Sequence, residues 1–324
     1  MTKQRLQGFI AGLLIAILLI STLALASGTL REVFYGVNVV VNGELQHFDD
    51  DMQPFISDGR TFLPVRGISE ALGVPINWDG TTNTVYIGDM PEFATIEDGY
   101  LKVATNIPFP PFQFASNAAT AVDGVDGICI AIAKVIAEEL GLQLRVIDMD
   151  FMAIIPTVQA GTRVDIGMAG MTITEERAQN VDFIPYFNSS QVIVTAVASG
   201  IQSAADLAGL RVGVVLNYTG DIIVSYSIDG IAEIVRSNSG AELALELING
   251  RVDAIVIDMP PAQEIIRTHP DFIIIEDTDV FLAENFGISI RQGNTGLRIA
   301  INAIVERLIA DGTIDAITAR YILN

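Results

Sequence analysis

The chain has 324 residues, with 18 Lys/Arg against 39 Asp/Glu and a formal net charge of −21. That balance argues against nucleic acid and anionic membrane surfaces as partners, because both need clustered Lys/Arg. One cysteine, Cys129, excludes an internal disulfide and a cysteine-based metal site, and His47 and His269 lack metal-ligand spacing, so no cofactor is implied.

Residues 1–26 read as an export signal. Lys3 and Arg5 form a basic start, Gly8 to Leu25 is apolar, and Ala24 to Ala26 offers small residues for cleavage before Ser27. The apolar run is close to spanning length, so an uncleaved N-terminal membrane anchor is the alternative. Either way the chain is expected outside the cell or on the outer face of the envelope, secreted or tethered. No cysteine ends the run, which closes the lipoprotein route.

Residues 33–89 form a separate small α+β unit. Asn42-Gly43 between alternating residues predicts a hairpin. Residues 54–66 are a second turn-bearing β segment, 67–73 a two-turn helix closed by Gly73, and 76–79 with 84–87 a closing hairpin. The run Asp58-Gly59-Arg60-Thr61, Leu63-Pro64-Val65-Arg66, Ile68 to Gly73, Trp78-Asp79 and Val85 to Ile87 resembles the copper amine oxidase N-terminal-like domain, a stalk-type module. The resemblance implies a spacer or a cell-wall or surface contact. The copper does not carry over, because one histidine without cysteine cannot make a copper site.

Residues 90–99 are an acidic linker. Beyond it strands and helices alternate, which implies open, mainly parallel sheets with ligands beyond the C-terminal strand ends. A strand at 101–105 leads into a stiff loop, 106–114, with three prolines and three phenylalanines in nine residues. Helices are predicted at 128–140, stopped by Gly141, and at 150–160, stopped by Gly161. The stretch 165–177 then runs from an apolar strand into a hydroxyl-rich turn and a helix start. Thr174 can cap that helix, Glu175 and Glu176 suit its positive end, and Arg177 offers a two-pronged donor. Together these make a carboxylate receptor; the plainer reading pairs Arg177 with Glu175, Glu176 or Asp182 on the surface.

Later segments complete the pattern. Strands at 181–187 and 191–197 are expected to cross into a second lobe. The loop 216–220 precedes a helix, and the strand 251–258 ends in Asp258, a carboxylate suited to an ammonium group or to capping the next helix. Late strands lie at 272–275 and 286–291, with a second crossover between Val280 and Gly287, and helices follow at 297–310 and from 311.

Asp165 with Met171-Thr172-Ile173-Thr174-Glu175-Glu176-Arg177, and the closing Asp311-Gly312-Thr313 helix, resemble the family 3 extracellular solute-binding proteins. These are polar amino-acid receptors of ABC importers. The resemblance covers about 101–324 and implies a two-lobed periplasmic-binding-protein-like (type II) α/β fold over 100–324. Lobe 1 would hold about 100–190 and 284–324, and lobe 2 about 191–283. It further implies that Arg177, Thr172 and Thr219, with Met171 beside them, hold a ligand carboxylate, and that Asp258 and the Gly170 carbonyl hold an ammonium. Phe109 and Phe151 would sandwich the ligand, although either ring could be lobe core.

The chain departs from the family in two places. Cys129 and Ala131 replace two aspartates, and Asn217-Tyr218-Thr219 replaces a Gly-Thr-Thr-like loop. With Asn106 where basic-ligand binders tend to have an acid, a neutral amino acid is expected. The expected function is binding of an L-amino acid by hinge closure and delivery to an ABC permease. A sensor or surface-interaction protein using the same cleft is the alternative. A cyclohexadienyl dehydratase-like lyase is disfavoured because no cleft carboxylate beyond Asp258 stands out, so the chain is not expected to be an enzyme.

Overall fold

The computed structural model describes residues 33–79, 83–88 and 92–322. The signal or anchor expected over 1–26 lies outside them, as do part of the turn before Thr84 and the start of the linker. The chain divides into two compact units. One runs up to Ile76 and takes in Ile87–Asp89; the other holds Asn77–Tyr86 and Met90–Asn324.

In the first unit, β1 (Val33–Tyr35) is followed by the hairpin of β2 (Val40–Val41) and β3 (Glu44–Leu45). Asn42 and Gly43 both have positive φ, 52° and 87°, as the tight hairpin turn requires. Next come β4 (Phe55–Ser57), β5 (Arg60–Phe62) and α1 (Val65–Ala71). Strands β1, β4 and β5 form an antiparallel sheet, on which Phe55 stacks against Phe62 at 4.9 Å. β6 (Ile76–Asp79) pairs with β7 (Thr84–Ile87).

The second unit continues with β8 (Tyr100–Thr105), β9 (Phe114–Ala115), β10 (Val125–Asp126), α2 (Ile128–Glu139), β11 (Gln143–Asp148), α3 (Phe151–Ala160), β12 (Ile166–Gly167) and α4 (Glu175–Ala178). Then follow β13 (Asp182–Ala196), β14 (Arg211–Val215), α5 (Thr219–Tyr226), β15 (Glu233–Ser237), α6 (Gly240–Ile248), β16 (Ala254–Asp258) and α7 (Met259–Thr268). The chain closes with β17 (Phe272–Ile275), β18 (Ala283–Ile290), α8 (Thr295–Ala310) and α9 (Thr313–Ile322).

One sheet runs through the whole unit in the order β11-β8-β12-β18-β13-β16-β14-β15, with β17 also on β13. Its two ends are parallel, β11-β8-β12 and β16-β14-β15. The middle is antiparallel. Asp182 to Ser190 of β13 pair with β18, whereas Gln191 onward pair with β16 and β17. The two predicted crossing strands are therefore one 15-residue strand, which keeps β18 as its partner on both sides of the register shift at Pro185/Phe187. The partner changes at Ser190/Gln191, and there the chain passes from lobe 1 to lobe 2. It returns where β17, on the lobe 2 half of β13, gives way to β18 on the lobe 1 half.

Each lobe buries the apolar face of its sheet. In lobe 1, Leu101, Val103, Ile166, Ile288 and Ile290 pack against Ile132 and Ile136 of α2 and Ile154 and Val158 of α3, all fully buried. In lobe 2, Ile193, Val212, Val214, Ala254 and Val256 form the core with Leu207 and Phe281. At roughly 25 cal/mol per Å² of buried apolar surface, these layers supply the main drive for folding. The motif strand is shorter than its apolar run suggests, because β12 pairs through only two residues on either side. α4 is a single turn with Thr174 as its cap, accepting from the Arg177 amide.

Candidate functional site: the interlobe cleft

The C-terminal ends of β8 and β12 in lobe 1, and of β14 and β16 in lobe 2, deliver side chains to one place at the hinge. From β8 the chain enters the proline-rich loop, where Asn106 gives its Nδ2–H to the Met149 carbonyl (3.1 Å) and Phe109 is 1 % exposed. After β12, Gly170 has φ +62°, and a Cβ there would lie 2.8 Å from Phe109 Cε1. A residue with no side chain is needed for the turn to pass so close to that ring. Met171 is buried, and its carbonyl accepts from the Gly287 amide at 2.9 Å, tying the motif to β18.

Arg177 turns inward from α4. Its Nη1 donates to the Thr172 carbonyl at 2.8 Å and its Nη2 to the Asn217 carbonyl of lobe 2 at 3.2 Å. The guanidinium thus spans the cleft and lies 5.2 Å from the Phe151 ring centre. Asp182, one of the surface partners considered for it, instead meets Arg298 at 3.3 Å. Burial pulls the Arg177 pKa down, and the nearby carboxyls of Glu284 and Asp258 work against that.

From lobe 2, Thr219 opens α5, and Asp258 stands at the end of β16 with 3 % exposure. Asp258 occupies the N-cap position of α7 but makes no side-chain cap bond. Its Oδ1 accepts instead from Gln191 Nε2 at 2.8 Å. Burial holds this carboxyl well above the usual range, and nearby Glu284 adds to the rise. The Gln191 bond and Arg177 oppose it.

Four side chains at the site escaped the sequence reading. Tyr218, beside Thr219, lies 4.2 Å from the Phe151 ring and 5.2 Å from the Phe109 ring, so it fills the gap between the two expected sandwich partners. Gln191 sits where β13 changes lobes. Tyr186, 2 % exposed on the same strand, has its hydroxyl 3.1 Å from Cys129 Sγ. Burial pushes the Cys129 thiol up to about 12, which makes it inert packing, not a nucleophile. Glu284 on β18 accepts from Thr172 Oγ1 at 2.7 Å. It overturns the expectation that Asp258 is the sole cleft carboxylate. The signal for it lay in the sequence: an acid inside the span 280–287, where the second crossover was placed.

Two α/β lobes joined by crossing strands, with a guanidinium, two carboxylates and hydroxyls buried between them, define a hinged solute-binding protein. The chain belongs to the bacterial extracellular solute-binding proteins, family 3, whose model matches residues 101–324. The copper amine oxidase N-terminal domain matches residues 40–146. Among the described residues no group of three His, Cys, Asp or Glu side chains could hold a metal ion.

Two relatives are each 29% identical. A probable histidine-binding protein of Neisseria gonorrhoeae aligns over 227 residues, 68% of this chain and 82% of the relative. An L-arginine-binding protein of Pseudomonas aeruginosa aligns over 242 residues, 72% and 90%. Among solved structures, an ancestral arginine-binding protein bound to glutamine is 38% identical with a TM-score of 0.61, covering 69% of this chain and 98% of that one. Among the described residues no helix is long and apolar enough to cross a membrane.

Proposed function

We propose that the cleft binds an L-α-amino acid with a neutral side chain and presents it to an ABC importer. The observation that carries this reading is the convergence of Arg177 and Asp258, from opposite lobes, on one buried cleft. Arg177 with the hydroxyls of Thr172 and Thr219 suits an α-carboxylate, and Asp258 with the Gly170 carbonyl suits an α-ammonium. The side chain then points toward Phe109, Phe151, Tyr218 and the Asn106 amide. The nearby acid Asp148 instead accepts the Ile107 amide at 3.1 Å, in an exposed position. The relatives' names point to amino-acid ligands, and one neighbour of this fold holds glutamine, a neutral one.

Ligand contact with both lobes favours the closed arrangement, so binding and closure are one equilibrium. In this reading the N-terminal domain is a spacer or surface contact, and residues 1–26 direct export or tether the chain. Sensing without transport would use the same cleft.

The test is thermal unfolding with each common amino acid. A ligand at a hundred times its Kd adds about 2.7 kcal/mol, or roughly 5–10 °C for a domain of this size. A shift with one or a few neutral amino acids, lost in Arg177→Ala, is expected. A shift with cationic amino acids alone would overturn the neutral assignment, and no shift with any would overturn the amino-acid assignment.

A further inference from the structure

The cleft holds one more carboxylate than a zwitterion can use. Glu284 Oε2 accepts from Thr172 Oγ1 at 2.7 Å and lies 3.5 Å from Gln191 Nε2. The nearby Thr219 hydroxyl favours its ionised form. The same Gln191 amide nitrogen donates to Asp258 Oδ1 at 2.8 Å, so one amide bridges both acids. Gln191 is 2 % exposed, and its Oε1 has no partner. A buried amide oxygen left bare is costly and marks a place made to receive a donor.

Count the charges that face this point. Arg177 on α4 is the cation, and Asp258 at the end of β16 and Glu284 on β18 are the anions. Tyr218 and Tyr186 have their phenol pKa values pushed up by burial and stay neutral. Thr172, Thr219 and Gln191 carry none. Arg177 spends its two named hydrogen bonds on carbonyls, not on either acid. A neutral amino acid adds one positive and one negative charge, so the closed cleft would keep one uncompensated negative charge. Such a charge away from water is expensive, and the usual escape is a proton.

Geometry decides which acid takes it. Asp258 is needed ionised beside the ligand ammonium. Glu284 instead occupies the Thr172 hydroxyl, which the ligand carboxylate needs. Two carboxylates cannot share that donor while both are ionised. We propose that Glu284 is a further ligand-binding residue, meeting the α-carboxylate of a neutral amino acid as the neutral acid, so that each such ligand enters with one proton from solvent. In the free protein Glu284 is the placeholder on the Thr172 hydroxyl; on binding it becomes a donor to the ligand. Burial already raises its pKa, against the pull of Thr172, Gln191, Thr219 and Arg177. This inference rests on the amino-acid reading above.

The test is calorimetric titration of the full chain between about pH 6 and about pH 8, with L-glutamine as first probe and the other uncharged common L-amino acids after it. Phosphate and Tris, which differ in ionisation heat, report the protons taken up. Wild type is expected to take up close to one proton at the alkaline end and to weaken by up to about tenfold per pH unit. Glu284→Gln, which keeps a donor without a titrating proton, should bind with a flat profile and no uptake. Binding by wild type without proton uptake across the range, or a slope that survives in Glu284→Gln, would overturn the assignment while leaving the receptor reading intact. No binding of any uncharged amino acid, by wild type or variant, would sink the neutral-ligand reading and this inference with it. The wild-type proton count less that of Glu284→Gln isolates the Glu284 proton from any that Asp258 gives up to the ammonium.

Discussion

Tyr218 Oη donates to Asn106 Oδ1 at 3.0 Å, a hydrogen bond between the lobe 2 loop after β14 and the lobe 1 loop after β8. It bridges residues 112 positions apart and holds the Tyr218 ring against Phe151. The closed arrangement therefore draws on the protein's own groups. Removing only the hydroxyl, in Tyr218→Phe, should cost about 0.5–1.5 kcal/mol of closure. That is about a two- to tenfold shift toward the open form, readable as a longer interlobe distance between spin labels. An unchanged distance distribution would mean that this bond does not contribute to closure.

In the proposed reading, Asn106 meets the ligand side chain. Its Oδ1 accepts from Tyr218 and its Nδ2 donates to the Met149 carbonyl. In Asn106→Asp the Met149 bond is lost and a charge faces the cleft. A cationic side chain should then gain about 1.5–3 kcal/mol from a charge-assisted bond, or roughly ten- to a hundredfold over a neutral side chain of similar length. Competition between lysine and glutamine in calorimetry checks this, and an unaltered ranking would detach Asn106 from the side-chain pocket.

The buried acid Asp258 should trade stability for binding. Its folded pKa lies above the unfolded value because of burial and of Glu284. Between those two values the folded state holds more proton than the unfolded chain, so stability falls as pH rises through the window and the penalty is complete above the folded pKa. Asp258→Asn removes the titrating group. The free variant should unfold at a higher temperature than wild type at neutral pH, and the gap should close as pH falls toward the unfolded value. Binding of α-amino acids should drop at least about tenfold, as loss of a charged partner implies, while binding of the matching 2-hydroxy acids should hardly change. A variant less stable than wild type at neutral pH would show that Asp258 earns its place structurally through Gln191.

Much of this architecture was legible because local chemistry and global fold agree. Asn42-Gly43, Gly141 and Gly161 each have the positive φ that their turn or helix stop demands, and Thr174 caps the helix it was expected to cap. What escaped depended on long-range pairing. Nothing local says that 182–196 is one strand, because its continuity is enforced by β18 on one half and β16 on the other. Tyr218 and Glu284 escaped for a related reason. A tyrosine in a loop and a glutamate at a strand start both read as surface residues until the lobes are brought together around Arg177.

Gly170 offers the sharpest separation of backbone strain from packing. Its φ is +62°, and a Cβ would come within 2.8 Å of Phe109 Cε1. Gly250 has nearly the same backbone, φ +65°, with nothing within 4 Å of its would-be Cβ. Gly250→Ala should cost only the left-handed penalty, about 1–2 kcal/mol. Gly170→Ala adds overpacking of about 1–3 kcal/mol, because Phe109 is wedged against Phe112 and Tyr218 at 5.7 and 5.2 Å and cannot yield freely. Denaturant midpoints of the two variants measure the difference directly. The Gly170 variant should also lose ligand affinity, since the ring that shifts is one proposed to meet the ligand, whereas the Gly250 variant should bind as wild type does. Equal destabilisation of the two would mean that Phe109 moves aside without cost and does not set the shape of the site.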